Sequence, residues 1–292
     1  MCITTNPLFR LFLHACRCLI LIAVTGTLMA QGIGPAWSQE ASSVNSQIEA
    51  PVEPPVEPAV EPKRESEVDS KAANDPNWEL LTLGQLKIAV EKWDDEIQKL
   101  EQKDQDEPDP QNAVLLLGSS SIRLWENAAG ALAPYPVIRR GYGGAKYSDL
   151  LVYSRRLIVP HEFRAAVIFV ANDITGGQSD HEVEAVEKWV RAIVRTAREH
   201  QPQAAILLVE VTPTPSRFDA WSKIRELNGK IREIALTEPN TYFVATAEFY
   251  MDRDDQPRAE FFRDDRLHQN EAGYAIWASL IKRRLDEVLS GS

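Results

Sequence analysis

Cysteine is scarce: the 292-residue chain has three, and Cys2, Cys16 and Cys18 all stand near its start. Nothing after Cys18 can close a disulfide or build a thiolate zinc site. Several chemistry-bearing motifs are also missing. There is no His-Glu-x-x-His, and Asp252, Asp254 and Asp255 lack the spacing and glycine of a calcium loop, so no metal is expected. Neither Gly-x-Gly-x-x-Gly nor a P-loop occurs, which argues against nucleotide binding, and no cofactor is expected. The Gly-x-Ser-x-Gly elbow of the α/β-hydrolase fold is absent as well. Basic residues are in deficit, 32 Lys and Arg against 43 Asp and Glu, for a formal net charge of -11. A nucleic-acid partner, which needs a basic face, is therefore not expected. Much of the deficit is local: nine acids fall between Glu40 and Asp75, against the three bases Lys63, Arg64 and Lys71.

What is present begins with an address. Arg10 and Arg17 precede an apolar run over residues 18–30. That run is shorter than the roughly 20 apolar residues that cross a bilayer. Its basic flank and small residues match a signal peptide, assigned to residues 1–38, with cleavage after Ala30 or after Ser38. Export to the periplasm or the exterior is expected, with a membrane tether if the segment stays uncleaved. Cys16 and Cys18 precede the apolar core, which disfavours a lipoprotein. Residues 39–76 read as a disordered linker in which Val-Glu-Pro recurs at Val52, Val56 and Val60. Proline at this density and like charges favour extended chain that buries no core.

Residues 77–110 read as a helix and connector. Leu80, Leu81, Leu83, Leu86, Ala89, Val90, Trp93, Ile97 and Leu100 keep near one stripe over 77–103, and Pro108 and Pro110 end the run. Residues 111–292 alternate strands with helices. Strands are expected over 113–117, 137–138, 165–170, 204–209 and 242–244, and helices over 181–200, 221–236 and 270–289, the last capped by Asn270. Strands separated by helices imply an α/β domain around a parallel sheet. Ligands of such sheets sit outside the carboxyl ends of the strands.

Four elements fall there or just before the last helix. The first strand runs into Gly118-Ser119-Ser120-Ser121, a small-residue turn that would expose a serine near a helix N-terminus; a helix cap accounts for the serine equally well. Gly141-Tyr142-Gly143-Gly144 follows the second strand, and Asn172-Asp173 follows the third. Glycine N–H groups and an Asn amide suit a developing oxyanion, although such residues also serve as plain turns. Asp265 stands three residues before His268, so a carboxylate can hold one imidazole nitrogen and leave the other free as a base. His161, His181 and His200 are expected as exposed surface histidines.

In order and spacing these elements resemble the SGNH (GDSL-type) hydrolases, over about residues 113–289. The resemblance implies a three-layer sandwich with a five-stranded parallel sheet in flavodoxin-like order. It implies Ser120 as nucleophile, His268 as its base and Asp265 as the partner of that base. It also implies an oxyanion hole from the N–H groups of Ser120 and Gly144 and the amide of Asn172. Ser119 stands where the family commonly has Asp, and Val170-Ala171 replace glycines before the Asn. The implied chemistry is two-step acyl transfer on a small-molecule or glycan ester, with carbohydrate acetyl esters preferred. A non-catalytic carbohydrate- or envelope-binding protein on the same fold is the competing reading, motivated by Ser119 and the linker. Arg139, Arg140, Lys146 and Arg217 fall in or beside loops after strands; near the mouth they would favour acidic substrates, and solvated surface charge is the competing account.

Overall fold

The computed structural model describes residues 75–290. The export signal and all but the last two residues of the linker therefore lie outside the described residues. Pro76–Leu80 forms a 3-10 turn, started by the Asp75 carboxylate accepting from the Asn77 N–H at 3.0 Å. The chain extends at Leu81 and Thr82 before helix α1, Leu83–Asp106. The single helix expected over 77–103 is thus a turn followed by a helix, and the reason is local. Thr82 and Gln85 cap each other: the Gln85 N–H donates to Thr82 Oγ1 at 3.2 Å and the Thr82 N–H to Gln85 Oε1 at 2.9 Å. The helix ends at Glu107, which precedes Pro108 and is extended, as the proline ring requires.

Five strands follow: β1 Val114–Gly118, β2 Val137–Gly141, β3 Ala165–Phe169, β4 Ala205–Val209 and β5 Thr241–Val244. All pair in parallel, in the order β2-β1-β3-β4-β5. This is the flavodoxin-like order. Two short helices, α2 Ser120–Arg123 and α3 Ala128–Ala131, lie between β1 and β2. The longer helices are α4 Tyr147–Ile158, α5 Val183–His200, α6 Trp221–Thr237 and α7 Glu271–Leu289. Asn270 caps α7 through its side chain, which accepts from the Gly273 N–H at 3.1 Å. Among the described residues no helix is long and apolar enough to cross a membrane.

The continuous apolar runs of the strands are divided by parity. Leu115, Leu117, Ala166, Ile168, Ile206 and Leu208 join a core shared with α1, α4, α5 and α6. Their neighbours Val114, Leu116, Ala165, Val167, Leu207 and Val209 join a second core, built with α2, α3 and α7. A sheet covered on both faces needs apolar residues at every position, which makes three layers.

Helix α4 had no residue-level expectation. Every residue of it except Arg155 and Arg156 is buried, so it shows no polar face for a periodicity to reveal. Strand β2 is longer than the expected 137–138 because it carries arginines. It is an edge strand; the Arg139 guanidinium turns to the carbonyls of Arg123 and Trp125 at 3.0 and 2.8 Å, and Arg140 is buried against Asp104.

Candidate active site

The sheet order reverses between β1 and β3, and the site lies at the carboxyl ends of those two strands. Gly118 ends β1 with φ +153, and a Cβ there would lie 1.9 Å from the carbonyl oxygen of Phe169 on β3. No side chain fits, so the chain can turn tightly against β3, and the Ser119 N–H bonds to that same carbonyl at 3.1 Å. Gly118→Ala should cost about 2–5 kcal/mol from overpacking and backbone strain together. Urea unfolding would report it as a lower midpoint at unchanged slope; an unshifted midpoint would sink the argument.

This turn delivers Ser120 as the first residue of α2. Neither Ser119 nor Ser120 spends its side chain on capping the helix. Instead the Ser120 Oγ lies 2.9 Å from His268 Nε2. His268 Nδ1 lies 2.6 Å from Asp265 Oδ2. The other oxygen, Asp265 Oδ1, accepts from the N–H groups of Leu267 and His268, both at 2.9 Å. Asp265 and His268 share a tight loop rather than a helical turn, closed by the Arg263 N–H on the His268 carbonyl at 2.8 Å. Partial burial pushes the Asp265 carboxyl up, but the hydrogen bond from His268 and the two backbone N–H groups outweigh it and hold it at about 2. Asp265 is therefore a carboxylate at any ordinary pH, and the imidazole carries its Nδ1 proton toward it.

Gly144 is exposed, and a Cβ on it would lie 3.9 Å from the Asn172 amide nitrogen. The Asn172 amide is held at both ends. Its nitrogen donates to the Ala145 carbonyl at 2.9 Å, and its oxygen accepts from the Arg217 guanidinium at 2.7 Å. Arg217 also donates to the Ala171 carbonyl at 2.6 Å, and burial pulls its pKa down. A guanidinium only donates, so the amide oxygen must face it. The second amide N–H is then left to the cavity that Asn172 shares with Ser120 and His268. That cavity, of about 30 Å³, is also lined by Val211, Ile224 and Phe262.

The residues singled out in the sequence thus meet at one place, and several neighbours differ from expectation. Arg217 is no solvated surface charge but the clamp on Asn172. Its partners are 45 and 46 residues away in sequence, and no local signal marks it. Arg140 is buried, and Lys146 is tied to the Ser179 carbonyl. The three histidines expected on the surface are not exposed. His161 is 1% exposed, with Nδ1 2.8 Å from Asp109. His181 donates to the buried Asp173, and His200 bonds to the His161 carbonyl at 2.8 Å. Proline-flanked His161 reads as a loop residue, but the return of α1 toward the sheet covers it. Among the described residues no group of three His, Cys, Asp or Glu side chains is placed to hold a metal ion.

Ser120 at the end of β1 and the Asp265–His268 loop before α7 form an arrangement suited to acyl transfer, and comparison with known proteins identifies the family. Residues 116–276, more than half of the chain, match the model of the GDSL-like lipase/acylhydrolase family. The chain belongs to that family, whose members hydrolyse esters. Among solved structures it is similar to a GDSL-like lipase from Bacteroides thetaiotaomicron, at 18% identity and TM-score 0.57, over 65% of this chain and 97% of that one. A lipase/acylhydrolase from Enterococcus faecalis is 18% identical at TM-score 0.52, over 61% and 96%. An acetyl xylan esterase is 19% identical at TM-score 0.51, over 59% and 99%. At these identities the likeness is one of fold. No curated protein sequence matches the chain.

Proposed function

We propose that this protein is an exported serine esterase that hydrolyses short-chain carboxylic esters, acetyl esters of carbohydrate above all, through an acyl-enzyme. The observation that carries the reading is the unbroken relay from Ser120 Oγ to His268 at 2.9 Å and from His268 to Asp265 at 2.6 Å. His268 Nε2 takes the hydroxyl proton as Ser120 Oγ attacks the ester carbonyl. The N–H groups of Ser120 and Gly144 and the free amide N–H of Asn172 receive the oxyanion. Asp265 keeps the imidazole in the tautomer with Nδ1 protonated and stabilises the imidazolium. His268 then returns the proton to the departing alcohol, and water repeats the cycle on the acyl-enzyme.

The acyl preference rests on the cavity. The space beside Ser120 is narrow and closed on one side by Phe169, Val211, Ile224 and Phe262, which suits a short acyl unit. The acetyl xylan esterase among the similar folds is in keeping with that choice. Export rests on the basic-then-apolar start of the chain.

The test is hydrolysis of p-nitrophenyl acetate, butyrate and octanoate by the purified protein and by Ser120→Ala. Acetate should be the best substrate, octanoate the poorest, and the variant should lose about 10⁶-fold in kcat. A folded wild-type protein that neither turns over these esters nor labels at Ser120 with a fluorophosphonate would overturn the esterase reading in favour of a binding protein.

A further inference from the structure

A second cleft lies on the β2 side of the nucleophile turn. Its volume is about 470 Å³, and it is lined by Glu96, Lys99, Lys103, Arg123, Arg139 and Tyr142, among others. One wall is α1, which presents Glu96, Lys99 and Lys103 at spacings of three and four, one face of a helix. The opposite wall is the end of β2 and the last residue of α2. The cleft therefore borders the chemistry. Arg123 is three residues, about 4.5 Å of helix rise, beyond Ser120. Gly141 and Tyr142 open the loop that ends in Gly144.

Four cations line this space against one acid, in a chain whose net charge is -11. The acid, Glu96, is spent on the backbone, accepting from the Gly143 N–H at 3.0 Å. Arg139 is oriented by two carbonyls, Arg123 O at 3.0 Å and Trp125 O at 2.8 Å, neither of which neutralises it. Among the described residues no carboxylate pairs with Lys99, Arg123 or Arg139. Lys103 has Glu107 at 3.4 Å, with both side chains largely in water, where such a pair is weak. The positive field continues past α2. Burial raises the Tyr274 hydroxyl to about 12, and Arg263, Arg139 and Arg123 pull against that rise. Arg139, oriented by two carbonyls, together with Arg123, Lys99 and the weakly paired Lys103, makes an anion site, and arginine forks fit planar carboxylates.

The geometry points to this cleft as an acidic-glycan subsite: uronate carboxylates of the polymer lie against Lys99, Lys103, Arg123 and Arg139 while the esterified unit sits at Ser120. The inference rests on the esterase reading for the placement of the ester, but the binding it asserts is measured without any hydrolysis.

The test is calorimetric titration of the full chain with an unesterified uronate oligomer and with a neutral oligosaccharide of equal length. In about 10 mM NaCl the acidic oligomer should bind at least tenfold more tightly than the neutral one, and about 150 mM NaCl should weaken it about tenfold or more. Lys99→Gln with Lys103→Gln should weaken binding about tenfold; the paired arginine variant, which keeps the charge, should retain it. Equal binding of neutral and acidic oligomers, no binding of either, or undiminished binding by the glutamine variant would overturn the subsite. So would displacement by inorganic phosphate at equal charge, or a single-stranded oligonucleotide binding more tightly than the uronate. Hydrolysis of p-nitrophenyl acetate by the wild type is read separately, so failure of the esterase reading registers there and failure of the subsite in the titration.

Discussion

Replacing His268 by alanine is expected to lower kcat toward p-nitrophenyl acetate by about 10⁶-fold, close to the loss from Ser120→Ala, because nucleophile and base act as a unit. The Ser120 hydroxyl lies 2.9 Å from His268 Nε2, and among the described residues it has no second base. Asp265→Asn should cost less, about 10²–10⁴-fold. Asparagine can still accept the N–H groups of Leu267 and His268, so the loop survives, but it no longer stabilises an imidazolium. The side chain of Asp265 is 46% exposed, so water shares its role and the loss belongs toward the lower end. The two losses should not add in the double variant. The pH dependence separates the partners. The Asp265 carboxyl is held at about 2, below the ordinary value of about 3.9. Its contribution is complete above about pH 4 and is lost as pH falls through about 2. Any loss of activity above that window therefore does not come from protonation of Asp265. Single-turnover rates from pH 4 to 9 would check this, since ionisation of Asp265 should contribute no limb over that range. A His268→Ala enzyme within tenfold of wild type, or an Asp265→Asn enzyme with undiminished kcat, would refute the relay.

What was legible in the sequence follows from how local each interaction is. Asp265 and His268 are three residues apart, so a spacing argument reaches them. Ser120 was legible because strand ends and small-residue turns mark where a parallel sheet exposes its chemistry. The five strands were legible from their apolar runs, except that the arginines of β2 hid its second half. The side chains that hold Asn172 and the glycine loop were not legible. Arg217 reaches Asn172 across 45 residues, and Glu96 reaches Gly143 across 47. Neither pair has a local pattern, and a charged residue in a loop is ordinarily solvated. The same applies to His161, whose burial is decided by α1 and by Asp109, 52 residues earlier. Helix α1 shows the middle case: its apolar stripe was plain, but its contact with the Gly143 loop was not. Gly143 has φ +20, and a Cβ there would lie 1.9 Å from the Trp93 ring, so the helix seats directly on the loop that carries Gly144.

Asn172→Ala is expected to lower kcat by about 10²–10³-fold, about 2.7–4 kcal/mol of transition-state stabilisation, with a much smaller change in KM. The amide contributes more in the transition state than in the ground state, because the charge it meets exists only there. Its preorganisation is what gives it that value. With the oxygen committed to Arg217 at 2.7 Å and one N–H to Ala145 at 2.9 Å, the amide cannot rotate, and the remaining N–H is held in one direction. Alanine removes the donor but also strips a half-buried guanidinium of one acceptor, at about 1–3 kcal/mol of stability. Asn172→Asp distinguishes the two effects. The carboxylate keeps an acceptor for Arg217, so the fold should hold, while no donor remains and a negative charge faces the oxyanion. Unfolding midpoints near wild type, together with activity at or below that of Asn172→Ala, are therefore expected. An aspartate variant that retained more than a tenth of wild-type kcat would exclude Asn172 as an oxyanion donor, leaving that role to the backbone of Ser120 and Gly144. Arg217→Met should fall between wild type and Asn172→Ala, because it leaves the donor in place and removes only what aims it.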